Sequence, residues 1–169
     1  MGHPLESADP PEACVLLFPI VRNIVTTIIV PDAVASNPTR TGGCFAFWRK
    51  DDAVEEATLV VCFQVGKLSA ERTLKYIHFA NEKAARLSRN PTHVSSFQSR
   101  DVSDRDKMNH KYGGAIRCGD SNLFFAFSGF SEIEDERICS FAALDLKLID
   151  QDFVNRQIND ARHPPLAGQ

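Results

Sequence analysis

Apolar runs separated by short polar breaks divide the chain into a small number of elements. Asn23 to Val30 is rich in β-branched residues and stops at Pro31, which predicts a strand, and Pro31–Gly43 reads as a loop. Cys44–Trp48 and Ala57–Phe63 flank the charged stretch RKDDAVEE and predict an antiparallel hairpin. Within it, Leu59 to Phe63 is continuously apolar, as in a strand covered on both faces. Beyond Gly66, Leu74, Ile77, Ala80, Ala84 and Leu87 recur at helical spacing. Ser69 is placed to cap that helix, and Asn90-Pro91 ends it, because the residue before a proline resists the α region.

Residues 92–111 read as a polar linker with short helical turns. Ala115–Cys118 and Leu123–Ser128 predict a second hairpin around Gly119–Asn122. Ser131 and Glu134 then supply a capping box, with Glu132, Asp135 and Glu136 placing negative charge where the helix dipole favours it. Ile138, Phe141, Ala142, Leu148 and Ile149 form the apolar stripe expected of that last helix. Strands that arrive as hairpins, not as alternating βαβ units, imply an α+β fold: an antiparallel sheet with helices packed on it. The expected organisation is a flexible N-terminal tail (1–12), a single α+β domain (13–161) and a flexible C-terminal tail (162–169), the two tails being rich in proline and polar residues.

Composition narrows the function classes. At 169 residues and a formal net charge of −3, the chain has no general attraction for nucleic acid or anionic lipid. Lys75, Lys83, Arg86 and Arg89 lie among acids on one helix and read as a solvated face. The apolar stretch Val15–Val30 is interrupted by Pro19, Arg22, Asn23, Thr26 and Thr27, so no membrane span is expected, and the acids and prolines before it do not suit a secretory signal. Five well-separated cysteines without a C-x-x-C point to reduced thiols and a cytoplasmic protein. Twelve phenylalanines need a reason. Phe125 and Phe127 share one strand face and Phe124 takes the other, so either helices cover both faces or one face is a subunit contact or an apolar pocket. Aromatic-rich covered surfaces suit oligomers, and a homo-oligomer is the expectation.

Chemical candidates are few. Asn109-His110-Lys111-Tyr112 precedes Gly113-Gly114; imidazole and phenolate both ligate iron, and paired glycines let a flat ligand approach the backbone. The competing reading is a solvated loop. Ser95, Ser96, Ser99 and Arg100 could hold an anion or simply satisfy their own turns. His78 and His93 read as boundary and loop residues. The spacing of Asp101, Asp104 and Asp106 does not match a calcium loop, Gly66-Lys67 lacks the upstream glycine of a phosphate loop, and no catalytic motif occurs.

A longer pattern spans about Phe79 to Leu148. Ala80, Lys83 and Ala84 form A-x-x-K-A, Ser95-Ser96 follows, Gly113-Gly114 leads into a hairpin, and Ser128-Gly129 forms a corner before an acidic helix start at Glu134 and Asp135. In this the chain resembles the GlcG/HbpS-like family of small haem-binding proteins. It departs at Ala115-Ile116-Arg117, where members usually carry a proline. The resemblance implies a profilin-like fold, self-assembly, and haem or another small flat ligand, with His110, Tyr112, Gly113 and Gly114 as the ligand-binding residues. The expected function is therefore small-molecule binding without catalysis, haem being the sharper candidate. A ligand-free interaction or scaffolding protein is the rival class, and an enzyme acting on haem or a small metabolite stands third.

Overall fold

A computed structural model describes residues 2–163. Both expected hairpins form. β1 (Gly42–Arg49) pairs antiparallel with β2 (Thr58–Gly66), and β3 (Ala115–Arg117) with β4 (Leu123–Ser128). Antiparallel pairing of β1 with β4 joins them into one sheet of order β2-β1-β4-β3. Its register sets Phe45 opposite Phe127 and Phe47 opposite Phe125. Cross-strand aromatic contacts follow, with Phe125 edge-on to Phe45 at 5.3 Å and to Phe47 at 5.7 Å between ring centroids.

Helices cover both faces of this sheet. Those phenylalanines pack against α1 (Pro10–Ser36) and α3 (Glu132–Asp145), meeting Leu17, Val21, Ile24, Ile138 and Ala142. Ala46, Phe124 and Ala126 point the other way, onto Ala80, Ala84 and Leu87 of α2 (Ala70–Ser88). Each fully buried phenylalanine contributes on the order of 1.5–3 kcal/mol. The sheet aromatics are thus absorbed within one chain, and they no longer argue for a subunit contact.

Four expectations need correction. Asn23–Val30 is helix, not strand: α1 runs through it and through the start of the expected 31–43 loop. Residues 25–29 form a π turn in which the Val30 N–H reaches Val25 O, accommodating Pro31, which has no N–H to give. The widened turn also keeps the inner face in step, because Ala13, Leu17, Val21, Val25, Ile29 and Ala33 are all buried. Thr26 and Thr27 hydroxyls bond back to the carbonyls of Arg22 and Asn23. By length and composition α1 could also cross a membrane, but this inner face packs on the sheet.

The second correction concerns the expected N-terminal tail. Leu5 is fully buried, and Asp9 and Glu12 form a capping box around Pro10-Pro11, residues that suit a first helical turn. The third concerns α3, which stops at Asp145. Lys147 adopts φ 58° and Leu148 N–H returns to Ala143 O, a Schellman-type end built without glycine. Leu148 and Ile149 therefore begin the return to a last helical segment, α4 (residues 151–162). Of the expected C-terminal tail, Arg162 is bound to Glu136, and residues 164–169 lie outside the described residues.

The fourth correction concerns α2. Leu74, expected on its buried side, is 70% exposed, whereas Lys83 and Arg86, expected on a solvated face, are buried. This reversal builds the site.

Candidate ligand-binding site

Helical spacing places Lys83 between Phe79 and Leu87 on the inner side of α2, so its side chain has no solvent to enter. At 1% exposure its ammonium donates to Phe127 O (2.8 Å) and pairs with Asp135 Oδ2 (3.0 Å). Asp135 reaches this point because the Ser131 cap starts α3 one turn earlier, and its Oδ1 accepts from Phe130 N–H (2.9 Å). Burial pushes the Asp135 carboxyl up to about 6, against the opposing pull of Lys83, the Phe130 N–H and Arg40. Gly114 makes the pair possible. Its φ is +112°, and a Cβ there would lie 2.7 Å from Asp135 Cβ and 2.8 Å from Lys83 Nζ.

Two further buried charges fix the surroundings. Arg86 donates to Ser96 O and Ser99 O (2.9 Å each) and to Tyr112 O (2.5 Å), while Glu82 neutralises it, so the 92–112 linker is clamped onto α2. Glu136, fully buried, accepts from Ser95 Oγ and pairs with Arg162. Burial raises its carboxyl as well.

Above the Lys83–Asp135 pair opens a cleft of about 400 Å³. Tyr76 and Phe79 of α2 and Tyr112 of the linker form aromatic walls, with Phe79 edge-on to Tyr112 at 5.1 Å. The Ser128-Gly129-Phe130-Ser131 corner forms another side. Arg40 and Lys75 stand at the mouth, neither with a side-chain partner among the described residues. Glu132 also lines it, but its carboxylate is engaged by Arg100 (2.8 Å) and the Gly113 N–H (2.7 Å). A larger groove of about 680 Å³, along Gly119–Asp120 and 147–157, is a surface feature with an Arg156–Asp152 ion pair at its rim.

Of the residues singled out in the sequence, His110 and Tyr112 come together, and Tyr112 lines the cleft. Each is hydrogen-bonded to the other. His110 Nε2 faces the Asp104 carbonyl at 2.7 Å and must donate, so Nδ1 accepts from the Tyr112 hydroxyl at 3.0 Å. Both ring nitrogens of His110 are thereby engaged, while the Tyr112 oxygen keeps its acceptor lone pairs. Gly113 lies against Phe97, whose ring a Cβ would meet at 2.6 Å, so each glycine admits neighbouring chain.

The remaining candidates are satisfied locally. Ser95, Ser96, Ser99 and Arg100 spend their polar groups on Glu136, Ala115 N–H, Arg86 and Glu132. His78 bonds Met108 O. His93 Nδ1 is buried without a partner, in the loop beyond Asn90 and away from the cleft. All five cysteines are free, and burial pushes Cys44 up to about 12 and raises Cys62, Cys118 and Cys139, leaving protonated thiols of low reactivity. The described residues hold no cluster of metal-ligating side chains.

Sequence reasoning missed Lys83, Asp135 and Arg40. One signal was available for Lys83: its helical neighbours at three and four residues are Phe79, Ala80, Arg86 and Leu87, with no acid to pair it on a solvated face. No family model, curated protein or solved structure matches the chain.

Proposed function

We propose that this chain is a non-catalytic small-molecule-binding protein whose site is the cleft above the Lys83–Asp135 pair. One observation carries the reading. Lys83 lines the cleft with two of the three N–H groups of its ammonium spent on protein, while burying an ion pair costs several kcal/mol per charge. A charge held at such cost beneath an aromatic-walled cleft is a ready anchor for a ligand. At about 400 Å³ the cleft sits at the small end of ligand pockets, which favours a compact molecule over a tetrapyrrole. Haem is the weaker candidate on that ground of size, and both ring nitrogens of His110 already have partners.

The GlcG/HbpS resemblance remains part of this reading for the Lys83 and Ser128-Gly129 positions, which line the cleft, and for Gly114, which packs against Lys83 and Asp135. Self-association is retained on new ground. β2 is an edge strand of nine residues, TLVVCFQVG, without a single charge to discourage pairing. Two copies joined antiparallel along β2 would continue the sheet about a two-fold axis. Five free thiols favour a reducing, cytoplasmic setting. The scaffolding reading takes Lys83–Asp135 as a tie between α2 and α3 and nothing more.

Ligand-observed NMR on a panel of ring-bearing small molecules separates the two. Hits that vanish in Tyr76→Ala are expected, because Tyr76 is a partly exposed wall. A panel with no Tyr76-dependent hit overturns the binding reading and leaves the scaffold. Haem added to purified protein should give no Soret band that depends on His110.

A further inference from the structure

Resting on that reading of the cleft, we infer that its ligand is a small organic anion, a carboxylate carried on a planar ring. The charges lining the cleft decide the sign. Lys83 balances Asp135 and Arg100 balances Glu132, so Arg40 and Lys75 remain as cations in excess. Both carboxylates are already occupied, Asp135 by Lys83 and the Phe130 N–H, Glu132 by Arg100 and the Gly113 N–H. The unspent charge is all positive: the Arg40 guanidinium and the Lys75 ammonium, beside the third N–H of Lys83. A carboxylate matches that set, since it accepts only, and an arginine fork can take both its oxygens.

The walls decide the rest of the molecule. Tyr76, Phe79 and Tyr112 offer ring faces and edges beside the anion-binding end, and a planar ring stacks or meets them edge-on. The Tyr112 hydroxyl is turned to His110, so this wall presents its ring more than its polar tip. Inorganic phosphate satisfies the donors but leaves the aromatic walls empty.

Titration of isotope-labelled protein with benzoate, its neutral isostere benzamide and inorganic phosphate tests the inference. Benzoate should shift the amide signals of Tyr112–Gly114 and Gly129–Ser131 saturably, with benzamide at least about tenfold weaker. Arg40→Ala and Lys75→Ala, which remove partly exposed charges and leave the core intact, should each narrow the benzoate-to-benzamide ratio. Equal binding of benzoate and benzamide, or a ratio unchanged in both variants, overturns the anion class while sparing the cleft as a site. Phosphate binding as tight as benzoate overturns the ring. If a broader panel of ring compounds of either charge also fails to shift these signals, the cleft itself is lost as a binding site, and the inference with it.

Discussion

At the scale of single residues, the account turns on charges that sequence alone places outside. Lys83 sits in a run of lysines, arginines and glutamates that reads as solvent-facing, and only its lack of an acid one turn away hints otherwise. Asp135 is equally ambiguous, because an acid in a first helical turn is favourable whether exposed or buried. Their pairing depends on tertiary packing between segments 52 residues apart, which local spacing does not report. Gly114 was legible as a special glycine, but its purpose was not. Gly114→Ala should cost about 2–4 kcal/mol, through a positive φ and a methyl group forced onto Asp135 and Lys83, and more than Gly113→Ala, where the Phe97 ring can swing aside. Urea denaturation measures both. Lys83→Met alone should cost about 3–5 kcal/mol by stranding Asp135, and Lys83→Met with Asp135→Leu should recover most of that loss. Asp135 also has a pH signature. Its folded pKa, about 6, lies above its ordinary 3.8, so ionisation weakens the fold. That penalty is present above about pH 6 and disappears as pH falls toward 4, and Asp135→Asn should remove this contribution from the stability curve across that window.

At the scale of elements, two hairpins, α2 and the capped start of α3 were all legible, because turn residues and caps act locally. α1 was not. Its β-branched run and Pro31 mimic a strand end, and its opening prolines mimic a tail, whereas prolines at a first helical turn and a π turn ahead of Pro31 allow one continuous helix. What decides is burial against the sheet, visible in the Ala13-Leu17-Val21 spacing but masked by propensity. The distinction is testable side chain by side chain. Ile29, buried, should cost about 2–5 kcal/mol on truncation to alanine, and Ile28, 39% exposed, under about 1 kcal/mol. Equal losses at the two positions would contradict the helix register.

At the scale of the whole molecule, helices on both faces of the sheet account for the buried phenylalanines and leave the β2 edge as the surface proposed for a second copy. Light scattering should show a dimer that Leu59→Lys and Gln64→Lys, both at exposed positions of the edge, convert to monomer. A monomeric wild type at working concentration would remove self-association from the account. The central claim concerns the cleft, where α2, the linker and the start of α3 converge on Lys83. The most direct measurement is a crystal structure of the protein grown with benzoate. The account predicts a carboxylate within hydrogen-bonding distance of Lys83 Nζ and its ring between Tyr76 and Tyr112. A cleft without benzoate, in which the third Lys83 proton is taken by a protein atom, would contradict it.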